Sequence, residues 1–251
     1  MSVARGDPRL AVIERRLAGV ARVVPVMSSK GGVGKTLLSC MLALALSDRG
    51  ARVGLLDLDV TNPTAHVVLG ADLSMFPEED RGVVPPLVGG VKFMSVAYYS
   101  GENPLPLRGW EIDNVVREVL AVTIWGDLDF LVIDTPPGIG DEVLDVLSYF
   151  PKHEPLVVAT PSPLTVASVR RLLKLLTEVV KGGLIRLVEN MARDDSRAIA
   201  DLAGEFHVKF LGKVRFDEDV DRAVGSVDAL RKSRMYEDVR VIAERLLREC
   251  P

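Results

Sequence analysis

The sequence predicts an α/β domain, a doubly wound, mostly parallel sheet flanked by helices on both faces. Three observations point to it. Short apolar runs rich in Val, Ile and Leu alternate with segments of helical periodicity along the chain. A glycine-rich loop joins the first apolar run to the first long helical segment. Two later runs, Val53–Asp57 and 130–134, end in a carboxylate, at the sheet edge where parallel α/β domains bind their ligands.

In chain order, residues 1–21 form an N-terminal extension with a helix. The run Val23-Val24-Pro25-Val26-Met27 makes the first strand, 22–27. The helix Lys35–Ser47 follows, and Gly50 closes it as a glycine able to adopt the left-handed C-cap conformation. Strand Val53–Asp57 comes next. Residues 71–90 are rich in proline, glycine and acidic side chains and read as a long surface loop. Strands 91–96, 130–134, 156–160, 184–188 and 209–211 continue the sheet, with helices 112–120, 142–149, 164–180 and 197–206 between them. In the C-terminal helix, 235–251, Met235, Tyr236, Val239, Ile242, Ala243, Leu246 and Leu247 lie on one stripe. Its other face mixes Glu237, Asp238, Glu244 and Glu249 with Arg240, Arg245 and Arg248, which favours packing on the sheet over membrane targeting. No repeat, low-complexity tract or linker divides residues 1–251, so a single domain is expected.

Composition narrows the function classes. The 251 residues include 26 % charged and 48 % apolar side chains, ordinary for a globular protein. A net charge of −4 argues against a surface built wholly for nucleic acid. No apolar run approaches the ~20 residues of a membrane span, and residues 1–8 lack a signal-peptide core. The two cysteines, Cys40 and Cys250, are far apart, with Cys40 expected in the core. A disulfide is not expected, which suits a cytoplasmic protein.

The most informative segment is Ser28-Ser29-Lys30-Gly31-Gly32-Val33-Gly34-Lys35-Thr36. Strand, loop and helix follow one another as a phosphate-binding P-loop requires. The ending Gly34-Lys35-Thr36 fits the G-x-x-x-x-G-K-[ST] pattern, while Ser29 replaces the first glycine and Lys30 adds a second lysine. Backbone N–H groups of Gly31, Gly32, Val33 and Gly34 would cradle phosphate oxygens, and the helix N-terminus would add its partial positive charge. Lys35 supplies a charge to the β- and γ-phosphates of ATP, and the Thr36 hydroxyl is a Mg²⁺ ligand.

Two acidic constellations complete this machinery. Asp57 and Asp59, at the end of the second strand, can hold the Mg²⁺ water shell or orient an attacking water. Asp134 ends an apolar strand in the Walker B manner, where the carboxylate binds Mg²⁺ through water. Gly138 follows in Thr135-Pro136-Pro137-Gly138-Ile139-Gly140-Asp141-Glu142, and its backbone N–H can sense the γ-phosphate.

The deviant loop, the Asp57-Leu58-Asp59 segment and the string from Asp134 to Glu142 together resemble the MinD/ParA group of P-loop ATPases. Within it they are most similar to the Mrp/ApbC branch, ATPases that carry iron–sulfur clusters. Leu107-Arg108-Gly109, the segment from Trp125 to Phe130, Thr160-Pro161-Ser162-Pro163 and Val188-Glu189-Asn190-Met191 extend the likeness over residues 22–217. The resemblance implies an ATP-dependent homodimer in which Lys30 acts across the interface. It gives Asp59 the hydrolytic water, Asp57 and Asp134 the Mg²⁺, and Asn190 the adenine base. A loop asparagine capping the next helix is the plainer alternative for Asn190.

The resemblance breaks at one place. Cluster-carrying members have Cys-x-x-Cys shortly after the Glu-Asn-Met segment, whereas here Ala192-Arg193-Asp194-Asp195-Ser196-Arg197-Ala198-Ile199 contains no thiol. Iron–sulfur clusters require closely placed thiolates, and His66, His153 and His207 are scattered, so no cluster is expected in the family's usual manner. The leading expectation is a Mg-ATPase switch, slow without a partner, whose protein partner is unknown. The alternative is a MinD/ParA-like positioning ATPase that binds DNA or a protein partner in its ATP state. DNA would need a basic face such as Arg170, Arg171 and Lys174, or Arg231, Lys232 and Arg234, and is not favoured at this net charge. A small-molecule kinase or ligase with 71–90 as a lid is the weakest reading.

Overall fold

The computed structural model describes residues 7–101, 107–138, 147–150, 153–180 and 184–249. Ten strands are described: β1 (Val20–Met27), β2 (Val53–Asp57), β3 (Glu78–Glu79), β4 (Val83–Val84), β5 (Leu87–Val88), β6 (Val91–Ser95), β7 (Leu128–Asp134), β8 (Leu156–Ala159), β9 (Arg186–Ala192) and β10 (Lys209–Arg215). Eight of them form one sheet in the order β10-β9-β8-β1-β7-β2-β6-β5, parallel except for the antiparallel β5–β6 pair. β1 and β7 lie at its centre, and their almost continuous burial is why both read as uninterrupted apolar runs.

Alternate residues of β8 face different cores. Leu156 and Val158 join the main cluster with the helix Lys35–Ser47 and the C-terminal helix Arg234–Arg248. Val157 and Ala159 join a second cluster with the helices Pro163–Val179 and Ala198–Glu205. Helices therefore cover both faces, as expected of a doubly wound sheet. The helix Lys35–Ser47 is buried all round from Leu38 to Leu46, and each large apolar side chain there contributes about 1.5–3 kcal/mol by leaving water. The C-terminal helix buries the predicted stripe against that helix and β10, and the Ser233 side chain caps it by accepting from the Tyr236 amide at 3.1 Å. The N-terminal helix Arg9–Leu17 packs on Trp110–Val122.

Some expected elements differ. Residues 71–90 are not one loop: β3 and β4 pair as a small hairpin, and β5 adds an antiparallel edge to the sheet. These strands have two residues each, too short to carry a periodic signal. The strand expected at 184–188 runs instead from Arg186 to Ala192, because Glu189 and Asn190 are buried despite their polarity. Of the helix expected at 142–149, residues 142–146 lie outside the described residues, as does Cys250. Cys40 is buried.

Candidate functional site

The first crossover places the P-loop beside the two strand-end carboxylates. β1 lies between β8 and β7, so the loop emerges next to Asp134, while β2 pairs β7 with Asp57 opposite Asp134. Gly32 and Gly34 have φ of 77° and 79°, a left-handed backbone that favours glycine. A Cβ added at Gly31 or Gly32 would meet nothing within 4 Å, whereas one at Gly34 would lie 2.5 Å from Asn190 Nδ2. Open space over the loop and close packing behind it are what a phosphate cradle requires. The loop lines a cavity of about 370 Å³ together with Asp59, Asn62, Pro137 and Asp221, and Thr36 lines the same cavity.

Lys35 and Asp134 form the centre of the site. Lys35 Nζ lies 2.5 Å from Asp134 Oδ1, and the Ser39 hydroxyl donates to the same oxygen at 2.8 Å. Asp134 Oδ2 is buried without a hydrogen-bond partner among the described residues. Asp57 is buried and accepts from the Asp59 amide at 3.1 Å, the Ala65 amide at 3.2 Å and the Ser95 hydroxyl at 3.4 Å. Burial, reinforced by the neighbouring Asp134, pushes the Asp57 carboxyl well above the usual carboxylate range. Burial also raises Asp59, with Lys35 opposing it.

Two buried carboxylates side by side, one of them bound to a lysine and keeping an orphaned oxygen, fit a divalent cation bound with a nucleotide. Among the described residues no group of three or more His, Cys, Asp or Glu side chains could hold a metal ion. One or two carboxylates beside a phosphate cradle is nevertheless how Mg²⁺ is usually held, with substrate phosphates and water completing the shell.

The remaining expected residues fall around this centre. Asn190 is buried in β9, where its side-chain amide donates to the Val33 carbonyl at 2.8 Å. It is therefore a strand residue bracing the P-loop and not a helix cap. A second cavity of about 360 Å³ borders Gly32, Gly34, Asn190, Met191 and Phe216, giving space for a base next to the phosphate loop. The Gly138 amide donates to the Ser28 carbonyl at 2.9 Å, so the loop after β7 is tied to the start of the P-loop. Lys30 is exposed, lines the P-loop cavity and has no ion-pair partner among the described residues. Ser39 is the site residue that sequence reasoning missed, although its i,i+4 spacing from Lys35 was the available signal. Of the basic residues considered for DNA, Arg170 pairs with Glu205, and Arg231 pairs with Asp48 at 2.6 Å.

The segment without thiols, 192–199, sits directly after Met191. The Arg193 guanidinium carbon lies 3.9 Å from the centroid of the Phe216 ring, and Lys213 Nζ donates to the Asp194 and Ser196 carbonyls at 3.3 and 2.5 Å.

A phosphate loop opening the first crossover helix, facing carboxylates at the ends of β2 and β7, defines a P-loop nucleotide-binding protein whose loop carries a second, leading lysine. A family model described as ParA, NUBPL iron-transfer P-loop NTPase, matches residues 19–247, and the chain belongs to that family. It is 34 % identical to the cytosolic Fe-S cluster assembly factor NUBP2 of Rattus norvegicus, over 94 % of this chain and 95 % of that protein. It is 29 % identical to an iron-sulfur cluster carrier protein of Methanocaldococcus jannaschii, over 94 % and 88 % of the two chains. Among solved structures, a nucleotide-binding protein from Archaeoglobus fulgidus in complex with ADP superposes with a TM-score of 0.75 at 28 % identity, covering 89 % of this chain and 93 % of that one. The cell division ATPase MinD of Pyrococcus furiosus has a TM-score of 0.68 at 20 % identity, covering 92 % and 100 %, and shares the fold. No described helix is long and apolar enough to cross a membrane.

Proposed function

We propose that this protein is a Mg²⁺-dependent ATPase that works as a homodimeric switch in iron–sulfur cluster assembly. The carrying observation is the Lys35–Asp134 contact with its orphaned Oδ2, set beside an open P-loop. In this reading Lys35 exchanges Asp134 for the β- and γ-phosphates when nucleotide enters. Thr36 supplies a hydroxyl to Mg²⁺, while Asp134 and Asp57 hold its water shell. When bound, the ion neutralises charge developing on the phosphate oxygens. Asp59, at the cavity wall, orients the attacking water, and Asn190 reaches the adenine edge from its position behind the loop. Lys30, exposed and without an ion-pair partner among the described residues, enters the partner's site and stabilises transition-state charge, an effect worth roughly 10³–10⁵ in rate where an arginine finger has been measured.

The names of the relatives support an iron–sulfur role, with the cluster as cargo. The absence of thiols from residues 192–199 supports a subunit that binds a partner over one that holds a cluster itself in the family's usual way. Lys30→Ala tests the core of the reading. ATP binding is expected to stay near wild type while hydrolysis is lost. Equal loss of both would refute action across the interface.

A further inference from the structure

We infer that Ser39 is a positioning residue for Asp134, the donor that holds this carboxylate toward the metal shell once Lys35 turns to the nucleotide. This rests on the nucleotide-and-magnesium reading above. Ser39 lies one helical turn beyond Lys35 and is fully buried, so its hydroxyl has no water to bond. Two acceptors are in reach, the Lys35 carbonyl at 2.9 Å and Asp134 Oδ1 at 2.8 Å. A hydroxyl has one proton, and a charged carboxylate draws it more strongly than a peptide carbonyl does.

The two contacts to Asp134 divide its oxygens. Oδ1 receives both donors, Lys35 and Ser39, and Oδ2 receives none. Among the described residues nothing else donates to this carboxylate, and Thr36 makes no bond to it. When Lys35 is drawn to phosphate, Ser39 is the one donor left on Oδ1. It then fixes the rotation of the carboxylate and leaves Oδ2, which takes neither donor, for the metal's water. Groups that orient metal-binding side chains in this way typically change metal affinity by about 10–100-fold when removed. A purely structural serine would serve poorly here, since alanine is the better residue inside a buried helix.

The test is equilibrium binding of a fluorescent ADP analogue, first in EDTA and then across a Mg²⁺ titration. It compares wild type, Ser39→Ala and Ser39→Cys, the last keeping the side-chain volume with a poor donor should the alanine variant fold badly. The expected result is unchanged affinity in EDTA and a Mg²⁺ requirement raised about tenfold in both variants. Variants that titrate like wild type would overturn the role of Ser39. A wild-type protein whose binding ignores Mg²⁺ would instead overturn the magnesium reading, and the role of Ser39 with it.

Discussion

The Gly138 amide and the Ser28 carbonyl, 2.9 Å apart, join the loop after β7 to the first residue of the phosphate-binding segment. For Gly138 to sense a γ-phosphate, its N–H must leave Ser28. Its φ of +123° is open in practice to glycine alone. Gly138→Ala therefore strains this loop by roughly 1–3 kcal/mol. ADP affinity is expected to hold while the preference for a non-hydrolysable ATP analogue over ADP shrinks about tenfold, at 1.4 kcal/mol per decade. An unchanged preference, measured by equilibrium binding, would remove Gly138 from the sensing role.

Asn190 braces the P-loop from behind, and its removal leaves the Val33 carbonyl without that donor. An unsatisfied buried acceptor costs about 1–3 kcal/mol. Asn190→Ala is expected to weaken ADP binding by about tenfold or more. It should also lower the melting temperature of the nucleotide-free protein. Weakened binding with unaltered stability would instead place Asn190 on the base alone.

Glu189 is buried and, among the described residues, neither carboxylate oxygen has a hydrogen-bond partner, although Lys213 Nζ comes within 3.6 Å. Burial raises its pKa above the ordinary 4.5, with Lys213 partly opposing. A raised folded-state pKa contributes stability that is fully present below the unfolded value and lost as pH rises through the folded one. Glu189→Gln should therefore flatten the pH dependence above about pH 4.5, and the variant should melt higher than wild type at neutral pH. Parallel melting curves across that range would contradict the assignment.

The thiol-free segment 192–199 gives a chemical prediction. Anaerobic reconstitution with iron and sulfide is expected to leave the protein without stoichiometric cluster absorbance in the visible. A stoichiometric cluster would mean that the chain finds its ligands elsewhere, and cluster carriage would become the leading function.

Much of this site is legible in the sequence because phosphate chemistry constrains it locally. Lys35, Thr36 and the glycines occupy adjacent positions, and Asp57 and Asp134 each end an apolar run that reads plainly as a strand. Ser39 was not legible in this way, since its partner is 95 residues distant and helical serines are common. The brace from Asn190 to Val33 depends on β9 running on through polar, buried residues, which an apolar-run criterion ends too early. The strands at 78–88 escaped for the opposite reason, having too few residues to show a period.

The central claim is that ATP closes two copies of this chain around Lys30. Light-scattering mass with Mg²⁺ tests it most directly. With ADP the protein should have the mass of one 27.3 kDa chain, and with a non-hydrolysable ATP analogue the mass of two. A single-chain mass with both nucleotides, at concentrations where each is bound, would contradict the account.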